Sequence, residues 1–175
     1  YRHRVIQMGE QPSRVFDVGS LGVENIKAIP LMTKDELEAS LDFKIDTQTI
    51  LVTYHPVTLG GDPAKDIREF LDALDQFKDL KVIFTMPNSD TGRDAIALAV
   101  ENYVEKHSNR AKAYTSLGLK RYLSTLQFVK AAVGNSSSGI IEVPSFGIPT
   151  LNIGDRQKGR LASKSVVNCG TSKDE

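Results

Sequence analysis

The sequence contains a single cysteine, Cys169, and no excess of charge of either sign. One cysteine excludes an internal disulfide framework and any metal site built from several cysteines. Lys plus Arg and Asp plus Glu each total 22, so the formal net charge is zero, which argues against nucleic acid or an acidic membrane surface as a partner. No apolar run approaches the ~18 residues that span a bilayer. We therefore expect a cytoplasmic protein with no membrane partner.

The composition is typical of a folded globular protein, with 40% hydrophobic and 25% charged residues. A length of 175 residues predicts one domain, with room for part of a second. The first residue is Tyr1 rather than methionine, and we expect a fragment of a longer protein. We place a domain boundary near Pro30, so that residues 1–30 are the tail of a preceding domain and residues 31–175 form the main one.

Short β-branched segments alternate with amphipathic stretches along most of the chain. Strands are predicted at residues 15–18, 49–54, 81–85, 111–114, 131–134 and 149–153. Helices are predicted within residues 19–29 and at 33–41, 62–77, 96–107, 119–129 and 140–146. Repeated strand–helix–strand units predict an α/β fold with a parallel sheet covered on both faces, because parallel strands need crossover connections.

Two helix starts carry side-chain signals. Thr33 and Glu36 are spaced as a capping box, in which each side chain bonds the other residue's backbone N–H. Asp62 before Pro63 supplies an N-cap followed by a proline suited to the first helical position.

Parallel sheets bind ligands at the carboxyl ends of their strands, next to helix N-termini. Four segments lie at such ends, namely residues 53–56, 86–93, 114–118 and 134–139. We therefore expect the functional site along this edge of the sheet.

The segment Gly134–Gly139 (Gly-Asn-Ser-Ser-Ser-Gly) is the most informative of the four. Small residues let the backbone approach a ligand closely, and hydroxyls together with helix N-terminal N–H groups suit phosphate oxygens. Glu142 follows on a predicted helix and could accept hydrogen bonds from two vicinal hydroxyls of a ribose. A solvated turn that caps a helix explains the same residues.

His55 directly follows a strand and could donate to a phosphate or act as an acid or base. A loop histidine beside the turn-forming Pro56 is the simpler explanation. Arg156, Lys158 and Arg160 lie together after the last predicted strand, where guanidinium groups could hold a diphosphate. An ordinary charged surface loop accounts for them as well.

Two further strand ends carry weaker signals. Asn88 and Arg93 belong to a polar loop that could equally be a simple Asn/Asp/Gly turn. Ser116 and Leu117 precede a predicted helix, where their backbone could meet the edge of a base.

Four motifs follow one another along the chain. They are Tyr54-His55-Pro56, Pro87-Asn88-x-Asp90-x-Gly92-Arg93, Gly134-Asn-Ser-Ser-Ser-Gly-Ile-Ile-Glu142 and Gly154-Asp-Arg-Gln-Lys-Gly-Arg160. Together with the segments Val5–Glu10, Phe16–Ser20 and Pro144–Thr150, they resemble the UDP-N-acetylglucosamine 2-epimerase family. Pro56-Val57-Thr58 stands where the non-hydrolysing branch usually has a basic run, which favours the hydrolysing, sialic-acid-pathway branch.

The family has two Rossmann-like domains in the glycosyltransferase-B arrangement, and the resemblance implies that this chain is mainly the C-terminal, UDP-binding domain. It implies that Ser136 and Ser137 contact the diphosphate and that Glu142 binds the ribose hydroxyls. It places His55 at the diphosphate and the sugar C1, where it stabilises the departing UDP. The other UDP-binding residues that it implies are Asn88, Arg93, Ser116, Leu117, Ser138 and Arg156.

The family reaction begins with removal of the C2 proton and loss of UDP, and water then adds to the glycal-type intermediate to give N-acetylmannosamine. The carboxylates that move the protons belong to the N-terminal domain. The resemblance thus implies UDP-N-acetylglucosamine as the ligand, no metal or separate cofactor, and a homo-oligomeric full-length protein. The alternatives are a non-hydrolysing 2-epimerase, a glycosyltransferase of the same architecture and a non-catalytic nucleotide-sensing module.

Overall fold

One parallel sheet organises the chain, for which a computed structural model describes residues 1–57 and 61–175. Its strands are β1 (Thr49–Thr53), β2 (Lys81–Thr85), β3 (Ala111–Tyr114), β4 (Ala131–Gly134), β5 (Thr150–Ile153) and β6 (Val166–Cys169). They lie in the order β3-β2-β1-β4-β5-β6, and every neighbouring pair is parallel. All carboxyl ends therefore meet at one edge of the sheet.

Helices connect most of these strands and cover the sheet. They are α1 (Arg2–Gln7), α2 (Leu21–Ala28), α3 (Lys34–Leu41), α4 (Pro63–Leu74), α5 (Arg93–Lys106), α6 (Gly118–Leu126) and α7 (Ser138–Ile141), with short 3₁₀ turns at Pro12–Arg14 and Val143–Phe146. In the two described ranges no helix has the length and apolarity that crossing a membrane requires.

The two faces of the sheet support separate hydrophobic clusters. Successive residues of a strand point to opposite faces, and in β1 Ile50 and Val52 join the cluster under α4 and α5. Leu51 joins the cluster under α3 and α6. Because both faces are covered, the central strands β1, β2 and β4 carry consecutive apolar residues in their interiors rather than alternating with polar ones. The predicted fold class is confirmed, an α/β, Rossmann-like parallel sheet of the kind found in one half of a glycosyltransferase-B enzyme.

Both predicted helix starts are confirmed. Thr33 Oγ1 accepts from the Glu36 N–H at 3.3 Å, and the Thr33 N–H donates to Glu36 Oε2 at 2.9 Å. Asp62 Oδ1 accepts from the Ala64 N–H at 2.9 Å, with proline at the first position of α4. These side chains satisfy N–H groups that have no partner within the helix.

One strand prediction was wrong, and one strand was not predicted. Residues 15–18 form no strand, and Phe16 and Val18 are 77% and 76% exposed. A β-branched run becomes a strand only where another strand offers it ladder partners, and this run finds none in the described part of the chain. Conversely, the sequence analysis did not identify β6, which pairs with β5 although Val167 is exposed.

Helix α2 packs on the domain through Ile26, which contacts the cluster under α3 and α6 together with Ile29. The domain boundary near Pro30 stays a prediction. Thr58, the last residue of the Pro56-Val57-Thr58 segment, lies outside the described residues.

Candidate functional site at the carboxyl edge of the sheet

Asn135, which follows β4, joins two of the predicted site segments. Its Oδ1 accepts from the His55 N–H at 2.7 Å, and its Nδ2 donates to the His55 carbonyl at 2.8 Å. The residue is completely buried, and buried polar groups are stable only when their hydrogen bonds are made. This reciprocal pair therefore fixes the position of His55 relative to the segment Gly134–Gly139, here called the serine loop.

The Asn135 carbonyl accepts hydrogen bonds from the basic loop that follows β5, residues 155–160. It accepts from Arg156 Nη1 at 3.2 Å and from Gln157 Nε2 at 2.8 Å. Gln157 is buried, and its Oε1 accepts from Arg160 Nη1 at 2.8 Å. The loop is thus anchored to the same residue that anchors His55, which brings the Arg156 guanidinium into the site.

The His55 ring has a defined hydrogen-bonding direction. Its Nδ1 accepts from the Asn88 N–H at 3.1 Å. A ring nitrogen that accepts carries no proton, so the neutral imidazole bears its hydrogen on Nε2. Burial lowers the pKa of His55, the Arg156 guanidinium lowers it further, and Asp90 acts in the opposite direction. His55 is therefore a neutral ring with an Nε2–H donor at neutral pH.

We expect the Asn88 amide resonance to titrate with His55, at a midpoint below the ordinary histidine value of 6.5. Because the folded-state pKa is depressed, the Asn88–His55 hydrogen bond is intact above that pKa and is lost as the pH falls through it. Protonation of Nδ1 would place the His55 Nδ1–H opposite the Asn88 N–H, and two donors cannot bond to each other. The measurement is the ¹⁵N-resolved amide shift between pH 7.5 and pH 5. His55→Gln removes the titration, and an invariant wild-type shift contradicts the assignment.

The serine loop begins at a glycine that no other residue can replace without strain. Gly134 has φ 129°, and a Cβ there would collide with the Thr53 carbonyl of the neighbouring strand. Beyond it, Ser136 Oγ accepts from the Ser138 N–H at 3.3 Å. A hydroxyl oxygen that accepts a hydrogen bond keeps its own hydrogen for donation. The Ser136 O–H therefore remains available as a donor, which suits an anion.

A cleft of ≈ 380 Å³ separates β1 and β2 from the start of α6. Its lining includes Thr53, His55, Thr85, Ser116, Leu117 and Tyr122. The predicted base-contacting residues therefore share one cavity with His55, as a ligand that spans both would require.

Within this cleft the predicted base contacts have partners of their own. The Leu117 side chain is buried in the core, and its carbonyl accepts from Arg121 Nε at 2.9 Å. Ser116 Oγ accepts from the Gly118 N–H at 3.1 Å. The turn that leads into α6 is thus rigidly held, which keeps its backbone at the cleft wall.

Glu142 follows α7 and lies against α2. A Cβ added at Gly22 would collide with Glu142 Oε1, so the α2 backbone directly borders the carboxylate. The segment that precedes Pro30 in the chain therefore forms one wall beside the predicted ribose-binding residue.

The Arg93 side chain pairs with the residue that follows it in the chain. Its Nη1 lies 3.2 Å from the carboxylate of its neighbour Asp94, at the start of α5. Asn88, by contrast, bonds to His55 and also donates from Nδ2 to Asp90 Oδ2 at 2.6 Å.

Three residues at this edge were missed by the sequence analysis: Asn135, Gln157 and Tyr122. Asn135 and Gln157 lie inside two of the quoted motifs. Their polar side chains, close after a predicted strand, were the signal that could have identified them. Tyr122 carried no such signal, because its position on the apolar face of a predicted helix is typical of a core residue.

The donors gathered here are N–H, hydroxyl and guanidinium groups, which bind anions. Within residues 1–57 and 61–175, no group of three or more His, Cys, Asp or Glu side chains is placed to hold a metal ion. Fold and geometry together define a Rossmann-like α/β domain with a candidate anion site at the carboxyl edge of its sheet.

Residues 1–175 match the family model described as UDP-N-acetylglucosamine 2-epimerase, and the chain belongs to this family. It is 43% identical over 169 residues to the Campylobacter jejuni GDP/UDP-N,N′-diacetylbacillosamine 2-epimerase (hydrolyzing), covering 96% of this chain and 44% of that protein. It is 40% identical over 176 residues to the Escherichia coli polysialic acid biosynthesis protein P7, covering 99% of this chain and 44% of that protein. The chain therefore spans less than half the length of these relatives.

Solved structures share the fold. The S. aureus MnaA–UDP co-structure matches with a TM-score of 0.68 at 17% identity, covering 99% of this chain and 45% of that one. The UDP-GlcNAc 2-epimerase from Methanocaldococcus jannaschii matches with a TM-score of 0.66 at 12% identity, covering 99% of this chain and 50% of that one.

Proposed function

We propose that this chain binds the UDP part of a UDP-linked 2-acetamido sugar for a hydrolysing 2-epimerase, which converts UDP-N-acetylglucosamine to N-acetylmannosamine and UDP. One observation carries the proposal: Asn135 ties His55 and Arg156 to the start of the serine loop through its side chain and its carbonyl. In this proposal three donor groups from separate strand ends bind the same ligand.

In this proposal the catalytic residue is His55, whose Nε2–H donates to the diphosphate oxygen that leaves C1. Negative charge grows on that oxygen as the bond breaks, and preorganised donors stabilise it. Arg156 and the serine hydroxyls complete the anion site, and Glu142 accepts from the ribose hydroxyls. The UDP-binding residues are Asn88, Arg93, Ser116, Leu117, Ser136, Ser137, Ser138, Glu142 and Arg156.

The proton steps belong to the half of the protein that lies outside this chain. A base there removes the C2 proton while the C1–O bond to UDP breaks. Water then adds its hydroxyl at C1 and a proton returns to C2 from the opposite face. No metal or separate cofactor enters this scheme. We also propose that residues 31–175 form the UDP-binding domain and that the full-length protein is a homo-oligomer.

The relatives support a hydrolysing enzyme and widen the choice of sugar. Two of them, from Campylobacter jejuni and Legionella pneumophila, carry both "hydrolyzing" and diacetylbacillosamine in their names. The experiment is to incubate the full-length protein with UDP-N-acetylglucosamine and, separately, with UDP-N,N′-diacetylbacillosamine, and to follow the products by NMR. Free N-acetylmannosamine with UDP supports the proposal. A UDP-linked 2-epimer indicates the non-hydrolysing reaction, and no turnover without an acceptor indicates a glycosyltransferase.

We expect Glu142→Ala in the full-length protein to weaken UDP binding by about 10–100-fold, because two charge-assisted hydrogen bonds to the ribose are lost. The measurement is isothermal titration with UDP. The loss should nearly vanish with 2′,3′-dideoxy-UDP, which has no hydroxyls for the carboxylate to bind.

The matched control is Glu105→Ala, which removes an exposed carboxylate at the far end of α5. It should leave UDP affinity unchanged. Equal effects of Glu142→Ala on UDP and on its dideoxy analogue would contradict the ribose role.

A further inference from the structure

Tyr122 on α6 reaches across to the serine loop. Its hydroxyl donates to Ser138 Oγ at 2.7 Å. The ring lines the cleft that contains His55 and also a second, much smaller cavity bounded by Ser136 and Gly139. Tyr122 therefore borders both cavities, and neither the sequence motifs nor the proposed function assigns it a role.

The direction of this hydrogen bond determines what Ser138 can do. Since Ser138 Oγ accepts from Tyr122, its own O–H hydrogen is left to point elsewhere. Burial raises the pKa of Tyr122 to about 12, so the phenol stays protonated and remains the donor throughout the neutral range.

Ser136, two residues before Ser138, is arranged in the same way. Ser136 Oγ accepts from the Ser138 N–H, which leaves the Ser136 hydrogen to donate as well. The hydroxyls of Ser136 and Ser138 thus both accept from the protein and keep their own hydrogens for donation to a ligand. That polarity suits an anion and disfavours a ligand that offers hydrogen-bond donors.

We propose that Tyr122 is a positioning residue that orients the Ser138 hydroxyl as a hydrogen-bond donor to the diphosphate. This inference rests on the proposed function, since it names the same ligand. The inference predicts that Tyr122 strengthens binding of the phosphates and not of the base. The Tyr122 ring nevertheless also borders the cleft that Ser116 and Leu117 line.

A purely structural role for Tyr122 makes a different prediction. Phenylalanine keeps the ring and its packing, so a packing role would leave Tyr122→Phe silent in binding. If Tyr122 instead orients the Ser138 hydroxyl, Tyr122→Phe should weaken binding only of ligands that carry phosphates. It should do so only while residue 138 has a hydroxyl.

The test is a double-mutant cycle in the full-length protein, with the Kd for UDP measured by titration calorimetry. We expect Tyr122→Phe to raise this Kd by about 5–10-fold, the effect of one misdirected hydrogen bond to a charged group. Ser138→Ala should raise it by a similar factor, and the double variant should bind no worse than Ser138→Ala alone. Uridine, measured by saturation-transfer NMR, should bind wild type and Tyr122→Phe alike.

Tyr114→Phe is the matched control, because it removes another hydroxyl of a partly buried tyrosine, one that donates to the Leu41 carbonyl at 2.7 Å. It should leave the UDP Kd unchanged. Additive losses in the double variant, equal weakening of uridine, or an unchanged Kd in Tyr122→Phe would each overturn the inference.

Two further outcomes remain decisive. Should Tyr122→Phe fail to fold, Ser138→Ala alone must still weaken UDP and spare uridine, and an unchanged UDP affinity in Ser138→Ala overturns the inference. If wild type does not bind UDP, the proposed function fails and the inference fails with it.

Discussion

Replacement of Gly134 by alanine is expected to destabilise the domain by more than about 3 kcal/mol and to lower its Tm by about 6–12 °C. Two costs combine at this position. The φ of 129° is one that a residue with a Cβ rarely adopts, and the added methyl would lie 2.8 Å from the Thr53 carbonyl carbon while colliding with its oxygen. Thr53 belongs to β1, the adjacent strand, so the obstacle is backbone that cannot rotate away.

Gly147→Ala separates the two costs. Gly147 also has a positive φ, 70°, but a Cβ there would have no atom within 4 Å. We expect it to cost about 1 kcal/mol, the left-handed conformation alone, and to lower the Tm by about 2–4 °C. Thermal unfolding of the full-length protein measures both. Equal losses in the two variants would show that the collision with Thr53 is relieved by a shift of the strands.

Removal of the His55 side chain has the largest expected effect on turnover. We expect His55→Ala in the full-length protein to lower kcat by about 10²–10³-fold, with KM changed far less. The physical reason is that Nε2–H meets charge that develops only as the C1–O bond breaks, so the bond is worth more in the transition state than in the bound substrate. Steady-state release of UDP measures the effect.

Two variants test this interpretation of His55. His55→Gln keeps a neutral N–H donor at a similar reach and should recover part of kcat. His3→Ala removes an exposed imidazole in α1 and should have no effect. A kcat within threefold of wild type in His55→Ala, in a protein with an unchanged Tm, would remove His55 from the mechanism.

The local elements of this fold could be predicted because their causes are local. Residues 81–85, 111–114 and 131–134 form strands with the predicted limits, and α3 and α4 begin at their predicted caps. Hydrophobic periodicity and helix capping depend on residues within a few positions of one another, so both can be predicted from the sequence alone.

The edge that carries the candidate site could also be predicted, because a parallel sheet places every carboxyl end at one edge. His55, Asn88, Ser136 and Arg156 do lie along that edge. The exact strand set could not be predicted, since residues 15–18 and β6 have similar β-branched character and only β6 finds a neighbour with which to pair.

Sequence by itself therefore determined the fold class, the main helices and strands, and which strand ends carry polar groups. The tertiary structure alone decided the partners of those groups. Asn135 bonds His55 across 80 positions of the chain, and Tyr122 bonds Ser138 across 16. Hydrogen bonds require distances near 3 Å, and such distances between remote residues follow from strand register and helix packing rather than from local pattern.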